Sequence, residues 1–405
     1  MRIDGAGLPR TLEVQGGRAS RYFEELGLAV ESAWKSQGFR LTAFPGTAAQ
    51  CLADFQVPPT LDAASLLRDI VCADTLPVQE DPRARFGQPP ITLYRGREFY
   101  VAALYWLDGT TTIHQHGFSG AFRVLEGRSL HTPYEFEAQD EHSHRLLTGI
   151  LRADMPELLR SGAVRAIEPG GRFIHSLFHL DRPSVTVIVR TYSQPTGTPQ
   201  FNYLHPGVAY DPFYKEQSLE RRIQAALSLA SIDRAAALSA TCAAISQEDL
   251  WASFLFAMRW FNSVDDTYGI DPILDQVSKS SRSLADVLRD ALTHQRQSLA
   301  VIKRRRLLHD PDHRMFLALL LNVKGRRQIE QILADGYPSE DPPVLLARWI
   351  RELADPSMRG LSGLVLNDCE LESVQTALEL GHSEWRDHFK LAGPPPDLLE
   401  QLFTI

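Results

Sequence analysis

The chain has 405 residues, more than one core comfortably holds, so two domains or one domain with a large appendage is expected. Apolar residues at 44% and charged residues at 23% exclude a wholly disordered chain, and a net charge of −8 argues against a nucleic-acid partner, whose phosphates call for clustered Lys and Arg. Cys51, Cys72, Cys242 and Cys369 show no CxxC spacing, no apolar signal core follows Met1, and the longest purely apolar run, Met315 to Leu321, is too short to cross a bilayer. The expectation is a cytoplasmic protein with reduced thiols and neither a nucleic-acid nor a membrane partner.

Residues 1–90 read as a helical lead-in. Tyr22, Leu26, Val30 and Trp34 recur at helical spacing, and a second helical stretch runs from Leu61 to Val71. Pro58-Pro59 and Pro89-Pro90 punctuate this segment, because proline lacks an amide donor and fixes φ.

Residues 91–205 have a different texture. Short β-branched and aromatic runs (Phe99 to Leu107, Ala121 to Leu125, Ala163 to Ile167, Val185 to Tyr192) alternate with glycine-containing turns, as in a small all-β barrel. Leu146 to Leu159 reads as a helix or a loop insertion, and the stretch Asn202 to Gly207 reads as a linker. From residue 206 to 405 apolar positions recur three and four apart, through Leu219, Ile223 and Leu227 and again through Leu317, Leu320 and Val323, which predicts an all-α region. The basic run Lys303 to Arg306 is expected to be a solvated helix end.

The chemistry concentrates in two segments. In the first, Gly109 leads into His114-Gln115-His116. Residues two apart on a strand share a face, so one strand can offer two imidazoles to one point. In the second, Pro169-Gly170-Gly171 turns the chain into a strand carrying His175 and His179. A lone His-x-His is often incidental, but a third histidine after such a turn makes a metal site the better reading.

Together these segments, from Gly109 to His179, resemble the two sequence signatures of the cupin superfamily. The resemblance implies a metal-binding β-barrel, hence an α+β chain with N-terminal helices and an all-α C-terminal region, and metal ligands at His114, His116 and His175. The glutamate that cupins usually carry a few residues after the second histidine is replaced here by Gly120 or Ala121. Its absence, with Trp106, His114-Gln-His116-Gly117 and Tyr192-Ser193, is similar to the cysteine and mercaptopropionate (thiol) dioxygenases. That implies three imidazoles holding Fe(2+), with a small-molecule substrate and O2 as partners. The serine and histidine which that family places before its tyrosine are absent, since the chain reads Ile188-Val-Arg190-Thr-Tyr192.

Arg190 and Tyr192 share a face by period-two alternation. If that face is inward they would grip a substrate carboxylate and hydrogen-bond an oxygen species, and they are the candidate catalytic residues. His179 reads as a hydrogen-bonded core residue, His142 and His144 as part of a solvated loop, and His131 and Tyr134 as candidates for the cavity mouth. His294, His309, His313, His382 and His388 show no carboxylate-histidine pattern on one helix face, so a di-iron bundle is not expected. Trp251, Phe254, Phe256, Trp260 and Phe261 read as helix core or interface.

The expected activity is therefore an iron- and dioxygen-dependent oxidoreductase acting on a small polar, carboxylate-bearing molecule, with a thiol among the candidates. The helical half would dimerise the chain or cover the barrel mouth, so a homodimer is one expected arrangement. Two alternatives stay open: a cupin oxygenase acting on carbon or nitrogen in specialised metabolism, and a non-catalytic module that binds metal or ligand.

Overall fold

A computed structural model describes residues 18–80, 86–108, 111–192, 199–264, 270–323 and 325–380, with residues 384, 385, 388, 389, 399 and 402. Met1, Gly109, Ser193 and His382, named above, lie outside the described residues.

Three helices lead in: α1 (Arg18–Ser36), α2 (Phe44–Asp54) and α3 (Ala63–Val71). The apolar stripe of α1 is buried at Tyr22, Leu26, Val30 and Trp34, as its spacing predicts. Asp62 starts α3 with a reciprocal capping box, accepting from the Ser65 amide at 2.7 Å while Ser65 Oγ accepts from the Asp62 amide at 2.9 Å.

Twelve strands follow among the described residues: β1 (Pro90–Arg95), β2 (Phe99–Trp106), β3 (Ile113–His116), β4 (Gly120–Glu126), β5 (Ser129–Ser143), β6 (Leu146–Ala153), β7 (Glu157–Leu159), β8 (Val164–Ile167), β9 (Gly170–His179), β10 (Ser184–Thr191), β11 (Asn202–Leu204) and β12 (Val208–Tyr210). One sheet runs β1-β2-β10-β4-β8 and the other β6-β12-β11-β3-β9-β5-β7. Because β6 also pairs with the second half of β5, the strands β5, β9, β3, β11, β12 and β6 close a six-strand ring. Tyr134 is the pivot, opposite Ile174 of β9 and Ala153 of β6.

The strand period sorts side chains among separate cores. On β2, Val101, Ala103 and Tyr105 pack against α1 to α3, while Ala102, Leu104 and Trp106 face the space between the two sheets. On β9, Phe173, His175 and Leu177 face that same space, and Ile174 enters the interior of the ring with Leu151, Phe201, Tyr203 and Ala209. The metal-candidate face and the ring interior are thus opposite faces of the same strands.

The strand pairings correct three expectations. Leu146 to Leu159 is neither helix nor plain loop but strands β6 and β7, and the Asn202 to Gly207 "linker" is a hairpin, β11 and β12, that closes the ring. His142 likewise belongs to strand β5, half-buried and 2.9 Å from Thr148 Oγ1, whereas His144 is exposed in the following turn.

The C-terminal region is helical throughout its described residues: α4 (Gln217–Ala230), α5 (Arg234–Ile245), α6 (Leu250–Ser263), α7 (Asp271–Ser280), α8 (Arg282–Arg305), α9 (Pro311–Asn322), α10 (Arg326–Gly336), α11 (Pro342–Ala354), α12 (Arg359–Ser362) and α13 (Asp368–Glu379). The chain therefore has the expected α+β class, a closed β-barrel with helices before it and an all-α region after it. The aromatic set from Trp251 to Phe261 is buried core, shared with Leu146, Leu204 and Val208 of the barrel. A second core joins α8 to α13 to Leu130, Phe178 and Leu180. At that seam Arg314 is fully buried, donating to the carbonyls of Leu180 at 2.8 Å and Arg305 at 3.0 Å. Arg305, expected in a solvated helix end, is instead buried with its guanidinium over the Phe178 ring.

Candidate metal centre

β3 lies between β9 and β11, and its alternation sends His114 and His116 into the space between the sheets and Gln115 the other way. Gln115 is fastened there: its Nε2 donates to the Pro199 carbonyl at 2.8 Å and its Oε1 accepts from the Tyr203 hydroxyl at 2.6 Å. His114 is directly opposite His175 on β9, but His116 is opposite Gly170, so β9 carries a large bulge between the two positions. Gly170 stands at φ +71°, a left-handed conformation that favours glycine, which is how the Pro169-Gly170-Gly171 turn enters the strand.

The result is a cluster of three ring nitrogens, one each from His114, His116 and His175, within 4.8 Å of one another. The three side chains are only 3%, 4% and 2% exposed. His116 Nε2 and His175 Nε2 face each other at 2.9 Å, and His114 Nε2 is buried without a hydrogen-bond partner. Burial holds the pKa of His114 down at about 4 and those of His116 and His175 well below the ordinary histidine value, with neighbouring histidines reinforcing the effect at all three. The rings are therefore neutral at pH 7.

Three neutral imidazoles aimed at one point are a donor set for a cation. A proton on one ring would satisfy the 2.9 Å contact and still leave His114 Nε2 orphaned, whereas one metal ion satisfies all three. Imidazole nitrogens about 2.0–2.1 Å from one ion and 2.9 Å from each other subtend roughly a right angle, an ordinary separation for adjacent ligands. The residues present fit a metal.

No carboxylate joins this group among the described residues, and the backbone shows why. A Cβ at Gly120 would stand 2.4 Å from the Val189 carbonyl of β10, and Ala121 faces the helices on the far side of the sheet. Neither position can project a glutamate to the histidines.

The other candidates divide. Arg190 sits beside the centre, its guanidinium 3.4 Å from the centroid of the Phe118 ring, while the His116 ring lies 4.7 Å from that same ring. Its charge helps to lower the His116 pKa. Tyr192 is turned elsewhere: its hydroxyl donates to the Gly96 carbonyl at 3.3 Å and its ring lies against Tyr100. His179 is outside the group, stacked on Trp106 at 4.3 Å with Nδ1 2.9 Å from Ser129 Oγ. Tyr134, turned with Phe136 toward the ring interior, is 3.5 Å from Ser176 Oγ. His131 lies deeper than a cavity mouth, with Nε2 3.0 Å from His175 Nδ1 and Nδ1 2.8 Å from Glu157 Oε1.

Glu157 was not singled out from sequence. The only available signal was alternation on β5, which puts His131 on the same face as Ser129. The partnership of β7 with β5 has no local mark.

No family model and no curated protein matches the chain. Among solved structures, it is similar to a cupin-2 domain containing protein from Shewanella frigidimarina, at 14% identity over 27% of this chain and 86% of the other, with a TM-score of 0.18. It is also similar to a recombinant oxalate oxidase in complex with glycolate (15% identity, 33% and 59% covered, TM-score 0.20). A third is a hydroquinone 1,2-dioxygenase in complex with Cd2+ and 4-hydroxybenzonitrile (16%, 26% and 63%, TM-score 0.20).

Proposed function

We propose that the chain is a mononuclear, metal-dependent oxidoreductase of cupin type, holding Fe(2+) on His114, His116 and His175 and using O2 to oxidise a small carboxylate-bearing molecule, with a thiol among the candidates. The observation that carries this reading is the convergence of three buried, neutral ring nitrogens with no carboxylate beside them among the described residues. Imidazole suits several first-row metals, so the choice of iron rests on the resemblance to thiol dioxygenases. When bound, the ion would supply dioxygen activation and a positively charged seat for an anionic substrate group.

The chain's own residues supply the rest. Arg190, across the Phe118 ring from His116, adds a fixed positive charge on the same side as the ligands and is the residue placed to bind a carboxylate. Phe118, Phe122 and Phe173, with ring centroids 4.7, 6.2 and 4.5 Å from the nearest of the three histidine rings, exclude water and keep those imidazoles unprotonated.

Metal analysis of the purified protein beside His114→Ala and His175→Ala tests the site. Roughly one ion per chain in the parent and loss in both variants is expected. Unchanged content in both, or no uptake of Fe(II) by the parent, would overturn it.

The same aromatic wall favours a second reading, an oxygenase acting on carbon or nitrogen of a less polar substrate. Oxygen uptake with a panel of thiols separates the two. Failure with every thiol on metal-loaded protein favours the second.

A further inference from the structure

His175 differs from the other two histidines in what stands behind it. Its Nδ1 is 3.0 Å from His131 Nε2, and His131 Nδ1 is 2.8 Å from Glu157 Oε1. Glu157 is held in place by Arg165, whose Nε donates to Oε1 at 2.7 Å. The hydrogen bonds from His131 and Arg165 keep the Glu157 carboxyl ionised, with a pKa of about 2.

Hydrogen-bond logic fixes the protons along this line. An ionised carboxylate only accepts, so His131 Nδ1 carries a proton. Where His131 carries only that one proton, its other nitrogen, Nε2, is the acceptor and its neighbour His175 Nδ1 the donor. His175 is left with its lone pair on Nε2, the atom that faces His116 at 2.9 Å. His114 reaches the same state by a simpler route, donating from Nδ1 to the Thr112 carbonyl at 2.7 Å.

The line also bears on charge. The three ligands are neutral, and Gly120 and Ala121 bar a glutamate from the usual place. Glu157 lies two hydrogen bonds from His175, and an acceptor behind a ligating imidazole raises its basicity. We propose that Glu157 and His131 are positioning residues that lock His175 in the Nδ1–H tautomer and supply, through two hydrogen bonds, the negative charge that the metal ligands themselves lack. This rests on reading the three histidines as a metal site, but its first test does not require metal.

Nitrogen-15 spectra of the metal-free protein, with His175 assigned by its loss in His175→Ala, report the tautomer directly. The Nδ1–H form is expected; an Nε2–H form overturns the lock whether or not the protein binds metal. Conversely, a protein that takes up no ion yet shows the Nδ1–H form retires the metal reading and leaves the lock standing. Titration with Zn(II) and Fe(II) then separates orientation from charge. His131→Phe should mix the tautomers and weaken binding by about 10–100-fold. Glu157→Gln keeps an acceptor for His131 but removes the charge, so the tautomer should persist while affinity falls several-fold. Affinity equal to that of the parent in Glu157→Gln would overturn the charge role.

Discussion

Burial decides the protonation state of the histidines between the sheets. His179 shows this apart from the metal candidates: it is fully buried, stacked on Trp106, and its pKa is pushed well below the ordinary value by burial first and by the Arg305 charge second. A histidine depressed in this way is neutral in the folded state. The unfolded chain, with a pKa of about 6.5, takes up a proton that the native state refuses. Its contribution is fully present above pH 6.5 and is lost progressively as pH falls below it. Urea unfolding between pH 7.5 and 5 should show stability declining toward acid, and His179→Asn should flatten that decline. An unchanged slope in the variant would place the acid sensitivity elsewhere.

At the scale of elements, β4 and β10 illustrate how strand contact restricts chemistry. Arg190 pairs with Gly120, and the carbonyl of Val189 occupies the space a side chain would need. Gly120→Glu should therefore not restore a carboxylate ligand. It should cost about 1–3 kcal/mol as an overpacking substitution, read as a lower urea midpoint, without tighter metal binding. Tighter binding at unchanged stability would refute this account of the missing ligand.

The same elements show what could be read in advance. His114, His116 and His175 were legible because period-two spacing and a glycine turn are local features of the chain. Strand β6 was not. Leu146 packs against the C-terminal helices and Leu147 and Leu151 against the ring interior, so both faces are apolar and the spacing imitates a helix. Hairpin β11 and β12 escaped because three-residue strands around His205-Pro206-Gly207 leave no alternation to detect. The pairing of His131 with Glu157 was hidden for a different reason: it depends on which strands become neighbours, and no single segment encodes that.

At the scale of the whole molecule, the helical region shares cores with the barrel. Leu130, Phe178 and Leu180 pack with α8 to α13, and Arg314 ties α9 to the end of β9 through the Leu180 carbonyl. Arg314→Ala leaves buried carbonyls without that donor and opens a cavity at the seam. A loss of about 1–3 kcal/mol is expected, as for buried acceptors left without a donor, seen as a drop in Tm accompanied by exposure of Trp106, which packs between the two sheets. A drop confined to the helical signal would mean that the barrel does not depend on the seam. Among the described residues no helix is long and apolar enough to cross a membrane.

The closed ring has a consequence for the order of events during folding. His114 is bracketed by Asn202 on one side and His175 on the other, partners far from it in sequence. Its strand cannot acquire both sets of hydrogen bonds until the chain through β11 has been made and has returned to meet it. Contacts of such separation form slowly, after the cost of closing the loops between them. The three-histidine cluster is thus a late product of folding, and a nascent chain ending before residue 199 should hold the three histidines without gathering them.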